Sequence, residues 1–216
     1  MNEARTFRQD PTTGFIHEPA GPAGDGLVLT HGAGGNCQAP LLVAVAEAFA
    51  SSGFCVLRCD LPFRQRRRFG PPFPAQAAED RNGLKAAAAE MRELVPGRIF
   101  LGGHSYGGRQ ASMLLSEDPQ LADGLLLLSY PLHPPKKPEN LRTTHFSKLQ
   151  TRCLFVHGTT DPFGSVEELR NAIEMIAGRT ELSVVERAGH DLARGNFDVF
   201  TLVIEPFRKL VGVDSV

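Results

Sequence analysis

The pentapeptide Gly103-His104-Ser105-Tyr106-Gly107 follows an apolar run, Arg98 to Gly102, and opens a stretch of helical periodicity. A serine between glycines at a strand-to-helix junction meets the condition for a nucleophile elbow, a strained turn that lifts the hydroxyl clear of a sheet edge. A serine hydroxyl is a weak nucleophile at its own pKa. It needs a base within hydrogen-bond reach and a carboxylate to orient that base. Downstream, His157-Gly158-Thr159-Thr160-Asp161-Pro162 puts Asp161 in the loop leaving one apolar run, and Ala188-Gly189-His190-Asp191 puts His190 just past the next. Ser105, Asp161 and His190 therefore stand in the order nucleophile, acid, base, each beyond the carboxyl end of its own strand. Asp60 and Asp191 are rival carboxylates, and Asp60 leaves an earlier strand that fits this order less well.

Acyl transfer also needs donors for a developing oxyanion. The segment His31-Gly32-Ala33-Gly34-Gly35 directly follows the run LVLT, and its glycines let the backbone approach a ligand. The expected donors are the backbone N–H of Ala33 and of Tyr106, the latter helped by the positive end of the helix it begins. A Gly-x-Ser-x-Gly sequence alone could be a glycine-rich turn with an ordinary serine, Asp161 a turn residue before proline, and His190 a loop histidine. Four such elements at four strand ends make coincidence the weaker reading. His31 and His104 are expected to be structural, packing beneath the oxyanion segment and the elbow.

These residues need a scaffold that gathers strand ends at one edge. Short apolar runs at Leu27 to Thr30, Phe54 to Cys59, Arg98 to Gly102, Gly124 to Ser129, Cys153 to His157 and Leu182 to Glu186 predict strands, with a weaker one at Gly14 to His17. Their continuous apolar character implies burial on both faces of a mostly parallel central sheet. Helical spacing at Pro40 to Ser52, Ala75 to Leu94, Ser105 to Ser116, Val166 to Ala177 and Phe197 to Leu210 alternates with them, so the fold class is α/β with helices flanking both faces of the sheet. The proline- and base-rich stretches Leu61 to Pro74 and Tyr130 to Lys148 are expected as loops rimming the site. The run Arg64, Arg66, Arg67, Arg68 within the first reads as a solvated loop face rather than a site for an acidic group.

The bulk numbers narrow the function classes. A chain of 216 residues, 42% hydrophobic and 22% charged, is expected as a single domain over 1–216 without room for a large cap. With 23 basic and 24 acidic residues the net charge is -1, which argues against nucleic acid and anionic membranes as partners. The residues Met1 to Asp10 lack the apolar core of a secretion signal, and no run is long enough to span a bilayer, so the expected location is cytoplasmic. Cys37, Cys55, Cys59 and Cys153 show no CxxC spacing and are expected as free buried thiols; no metal or organic cofactor is expected.

The segments THGAGG, GHSYGG, HGTTDPFG and AGHDL resemble the α/β-hydrolase superfamily across nearly the whole chain. RCDLPFRQRRR, PPFP and LLLLSYPLHPPKKPENLRTTHF resemble a subgroup related to a testis-expressed eukaryotic protein and to a subunit of a histone-acetyltransferase complex. The chain is also broadly similar to dienelactone hydrolases, which carry cysteine where this chain has Ser105. The resemblance implies an α/β-hydrolase fold of eight strands or slightly fewer, with Ser105 as nucleophile, Asp161 as acid and His190 as base. The function expected is a carboxylesterase-like serine hydrolase acting on a small-molecule acyl substrate through an acyl-enzyme. The alternative is a catalytically idle member of the fold used for binding or assembly; oligomeric state and substrate identity stay open.

Overall fold

The computed structural model describes residues 4–195 and 197–212. Eight strands form one sheet: β1 (Arg5–Gln9), β2 (Thr12–His17), β3 (Gly26–Thr30), β4 (Cys55–Cys59), β5 (Ile99–His104), β6 (Gly124–Leu128), β7 (Cys153–Gly158) and β8 (Thr180–Val185). Their spatial order is β1-β2-β4-β3-β5-β6-β7-β8. β2 runs antiparallel to β1 and β4, and all pairs from β4 through β8 are parallel. Among the described residues six α-helices accompany them: α1 (Pro40–Ser51), α2 (Pro62–Arg66), α3 (Ala77–Leu94), α4 (Tyr106–Glu117), α5 (Val166–Ile173) and α6 (Glu205–Val211).

The sheet separates two apolar clusters. On one face Val28, Leu101, Leu127 and Phe155 meet Leu84 and Met91 of α3, Leu115 of α4 and Leu169 of α5. On the other, Leu27, Leu29, Phe100 and Leu126 meet Val45 and Phe49 of α1 and Phe207 and Leu210 of α6. Neighbouring residues of β3 thus serve opposite faces, which is why LVLT shows no polar alternation. Burial of this kind contributes about 1.5–3 kcal/mol per large side chain relative to exposure, and it holds the parallel strands in one register.

The expected mostly parallel sheet with helices on both faces is the observed architecture, with the weak early strand extended to Thr12–His17. β1 has no counterpart in the sequence reading. Its residues RTFRQ are largely exposed and it is held by antiparallel pairing to β2, so an apolar pattern is absent where backbone bonds do the work. The stretch Leu61 to Pro74, expected to be loop throughout, contains α2; Pro62 occupies its first turn, where a missing N–H costs nothing. The helix expected to Ala177 ends at Ile173. The final helix expected from Phe197 begins instead as a π-type turn, Phe200–Ile204, in which Glu205 donates to the Phe200 carbonyl. Pro206 cannot donate to residue 202 and its ring crowds that carbonyl, which accounts for the wider turn before α6. No helix of the described residues is long and apolar enough to cross a membrane.

The chain order reverses across β3, whose neighbours are β4 on one side and β5 on the other. The carboxyl ends of β3, β5, β7 and β8 lie at one edge because these strands are parallel. A crevice at such a reversal is where open α/β sheets bind ligands.

Candidate active site

Ser105 lies between β5 and α4 with φ 51° and ψ −115°, a backbone region that L residues rarely adopt. Its amide donates to the Leu128 carbonyl at 2.9 Å. The turn is tight enough that a Cβ on Gly103 would stand 2.6 Å from the Gly108 nitrogen, and one on Gly107 would stand 2.6 Å from the His31 carbonyl oxygen. The Gly-x-Ser-x-Gly spacing is therefore a steric requirement, and it presents Oγ above the end of β5.

His190, in the loop after β8, has its Nε2 2.7 Å from Ser105 Oγ, and its Nδ1 is 2.8 Å from Asp161 Oδ2. The tautomer that satisfies both has Nδ1–H donating to the carboxylate and Nε2 accepting from the hydroxyl. Asp161 lies beyond β7 with its side chain buried, and its Oδ1 accepts the Phe163 amide at 2.9 Å. The Phe163 ring stacks on the imidazole at a centroid separation of 4.1 Å. His104 Nε2–H donates to the His190 carbonyl at 2.7 Å, and burial pushes its pKa down to about 4, so it is a neutral strut. The rival carboxylates are engaged elsewhere: Asp60 accepts the Cys37 amide at 2.7 Å, and Asp191 accepts the Ala193 amide at 3.1 Å. The four cysteines are buried free thiols, and burial raises all of their pKa values, to about 11 for Cys55.

The segment from His31 to Gly35 passes over the elbow. The ring of His31 is buried; its Nδ1–H donates to Gly32 O at 2.8 Å and its Nε2 accepts the Leu61 amide at 3.2 Å. Arg64 clamps the same segment from outside. Its Nη2 donates to Ala33 O at 2.9 Å and its Nε to Gly35 O at 2.7 Å, while Nη1 and Nη2 also reach the carbonyls of Arg67 and Gly70. Arg64 is only 6% exposed, which corrects the reading of the whole arginine run as a solvated face. The rest of that run behaves as expected of a surface: Arg66 pairs with Glu79, and Arg68 lies over the exposed Phe69. Tyr106, first residue of α4, is held by its hydroxyl, which donates to the buried Asp80 at 2.7 Å; Asp80 in turn accepts the Phe63 amide at 3.0 Å. Burial and that carboxylate both push the phenol pKa up, so Tyr106 stays protonated.

Two cavities meet at Ser105. One, of about 530 Å³, is bounded by the Gly32–Gly35 segment, Leu41, His104 and His190 and is chiefly apolar. The other, of about 520 Å³, runs past Tyr106 to Arg109, Gln110 and Arg142. Pro71 to Pro74 and Pro131 border it, so both proline-rich stretches wall the crevice. Phe163 and the pair Arg109 and Arg142, which line the cavities, were not singled out in the sequence, and Arg64 was given there to a solvated face. Only Phe163 carried a local signal, as the aromatic two residues past Asp161.

A family model described as alpha/beta hydrolase domain matches residues 24–201. Among solved structures, Est1E from Butyrivibrio proteoclasticus with ferulic acid bound is 16% identical with a TM-score of 0.77, over 97% of this chain and 100% of that one. A dienelactone hydrolase from Anabaena variabilis is 18% identical with a TM-score of 0.71, covering 96% of this chain and 95% of that one. An α/β serine hydrolase without lid from Xanthomonas campestris is 17% identical with a TM-score of 0.73, covering 96% of this chain and 94% of that one. At these identities the likeness is one of fold, whereas the family match spans most of the sequence: the chain belongs to the α/β-hydrolase domain family.

Proposed function

We propose that the protein is a carboxylesterase-like serine hydrolase in which Ser105 is the nucleophile, His190 the general base and acid, and Asp161 the residue that orients it. The observation that carries this reading is the pair of hydrogen bonds, 2.7 Å and 2.8 Å, linking Ser105 Oγ, His190 and Asp161 at the crevice. His190 Nε2 takes the Ser105 proton as Oγ bonds to the acyl carbon. The carbonyl electrons move to oxygen, which the amides of Ala33 and Tyr106 receive. The imidazolium, steadied by Asp161, then passes its proton to the departing alcohol oxygen as that bond breaks. In the second half, water gives a proton to His190 and attacks the ester of Ser105, and the returning proton restores the hydroxyl while the acid leaves. Both cavities are open and neither lies under a cap, which favours short or exposed acyl groups over deeply buried lipid chains.

Labelling of the purified chain by a fluorophosphonate probe, beside Ser105→Ala and with 4-nitrophenyl esters of increasing acyl length, tests the proposal. The expected outcome is labelling abolished in the variant and a loss of kcat on the order of 10⁴ or more for Ser105→Ala and His190→Ala. A wild-type chain that neither labels nor hydrolyses any ester would overturn it in favour of a binding or assembly role.

A further inference from the structure

We infer that the cavity bounded by Arg109 and Arg142 is an acyl subsite for substrates that carry a carboxylate on the acyl part. The inference rests on the hydrolase reading above and adds the substrate class. Its first support is charge without a counter-ion. Most of the arginines that pair do so with carboxylates on the surface, as in Arg5 with Glu18, Arg66 with Glu79 and Arg179 with Glu181. Arg109 and Arg142 have no carboxylate within 4 Å among the described residues. Yet both line the same cavity, and the charge of Arg109 adds to burial in lowering the pKa of Arg142. The neighbouring groups do not neutralise them. His145 is pushed down to about 4, first by burial and then by Arg109, and the buried Tyr130 phenol, kept protonated by burial, donates to the Arg142 carbonyl while its oxygen takes a hydrogen bond from Arg109. Asp80, the buried acid near this wall, is committed to Phe63 and Tyr106.

The second support is a set of donors with nothing to donate to. Arg109 Nε and Gln110 Nε2 are buried nitrogens without a partner, and both residues line the cavity. Gln110 is held by its other amide atom, since Oε1 accepts from Arg81 at 3.1 Å. Arg142 reaches the Pro131 carbonyl only at 3.3 Å through Nη1. Two mutually repelling guanidiniums and orphaned buried donors cost folding stability. A few convergent polar groups in an otherwise apolar pocket are the pattern of a ligand site, and a planar guanidinium suits a carboxylate best of all.

The third support assigns the side of the ester. His190 must protonate the leaving alcohol, so that group occupies the cavity His190 itself borders. The arginine-lined cavity shares Ser105 with it but not His190, which leaves it to the acyl chain. Arg109 is four residues past Ser105 on α4, one turn into the helix, so the acidic group would lie at the far end of a short acyl chain.

The test compares 4-nitrophenyl hemiesters of succinate, glutarate and adipate with their methyl-capped twins, equal in reach but uncharged at the far end. At least one hemiester should exceed its twin in kcat/KM by about tenfold or more, as expected for charge-assisted hydrogen bonds. That ratio should fall toward one in Arg142→Gln and Arg109→Gln, while Arg142→Lys keeps part of it; Arg142→Gln, on a loop, guards against a folding defect at Arg109. Twins hydrolysed as fast as, or faster than, hemiesters throughout the series would overturn the subsite and leave the hydrolase reading intact. If no ester is turned over, the hydrolase reading fails and calorimetry on Ser105→Ala decides the subsite. Tighter binding of monoethyl glutarate than of diethyl glutarate, lost on adding Arg142→Gln, supports it, and equal binding overturns it.

Discussion

Two glycine-rich segments meet at Ser105, the elbow from Gly102 to Gly108 and the segment from His31 to Gly35, and they keep their shapes for opposite reasons. In the elbow, atoms of the backbone occupy the space a side chain would need: at Gly103 and Gly107 an added Cβ falls 2.6 Å from another residue's main chain. In the other segment, a Cβ on Gly32 would come 3.0 Å from the His104 ring and 3.3 Å from Ser105 Cβ, side-chain atoms only, but on Gly34 it would meet nothing within 4 Å, and on Gly35 its nearest neighbour would be 3.8 Å away. There the path is set by side chains brought in from elsewhere, the guanidinium of Arg64 on two carbonyls and the His31 ring bonded to Leu61. Similar composition thus hides two constructions. The elbow should fail when atoms are added, the stretch from Ala33 to Gly35 when they are removed.

The largest effect should come from adding atoms to the elbow. Gly107→Val would drive a branched side chain into the His31 carbonyl and the Thr30 methyl, each 2.6 Å from the Cβ position. Since neither a backbone carbonyl nor the core of β3 can retreat, the cost should reach about 3 kcal/mol, the upper range for overpacking. Urea denaturation should show it, and fluorophosphonate labelling of Ser105 should vanish with it. Retained labelling and a wild-type urea midpoint would mean that the elbow tolerates mass and that the contrast is false.

Next comes removal at the clamp. Arg64→Met keeps the apolar stem but strands the carbonyls of Ala33, Gly35, Arg67 and Gly70. Unpaired buried carbonyls cost about 1–3 kcal/mol each, less where water reaches them, so a net loss of about 2–3 kcal/mol is expected. Because Arg64 holds the Ala33 peptide and lines neither cavity at Ser105, it is expected to act as a positioning residue. Its loss should lower kcat by about 10²-fold, the range for a displaced oxyanion donor, with KM changed far less. Arg64→Lys should not restore kcat, since one ammonium cannot span the carbonyls a planar fork reaches. An equal rise in KM with kcat intact would place Arg64 in ground-state binding instead.

The contrast also explains what the sequence made legible. Strands buried on both faces announce themselves as apolar runs, and the elbow announces itself because backbone crowding leaves glycine no substitute. Asp161 and His190, which the structure joins to Ser105 in one hydrogen-bonded row, were singled out by their places past β7 and β8 in chain order. Interactions made by long polar side chains across the fold leave no such trace. Arg64 and Ala33 are 31 residues apart, and Asp80 and Tyr106 are 26 apart; neither pairing has a local pattern. The arginine run drew notice by its density, whereas Arg109 and Arg142, isolated in sequence, share one cavity only after β5, α4 and the following loops have folded. β1 was missed because an exposed edge strand needs no apolar pattern.

A smaller effect should follow from protons, and it reaches both segments, through His31 in one and His104 in the other. Burial lowers the pKa of His31, and brings those of His104, His17 and His145 to about 4 from an ordinary 6.5. With the folded values below the unfolded ones, the unfolded chain takes up these protons first as pH falls. Stability is therefore intact above about 6.5 and declines progressively toward pH 4. Urea midpoints at pH 7.5, 6 and 5 should decrease in that order. In His104→Asn, which retains a donor toward the His190 carbonyl, the pH slope should be shallower by up to one proton. A slope unchanged in that variant would mean that His104 titrates alike in both states.

The smallest effect is the most discriminating, because it concerns a glycine that resembles those of the elbow in every respect visible in sequence. Gly34 is exposed, its φ is not among the positive ones, and a methyl group there points into open space. Gly34→Ala should leave the folded state unstrained while restricting the unfolded chain, so stability should stay level or rise by as much as about 1 kcal/mol. Gly107→Ala, with the same added methyl, should destabilise, because its Cβ lands on the His31 carbonyl. If the two alanine variants shift the urea midpoint in the same direction, the stretch from Ala33 to Gly35 is shaped by its own backbone after all, and Arg64 contributes less to its path.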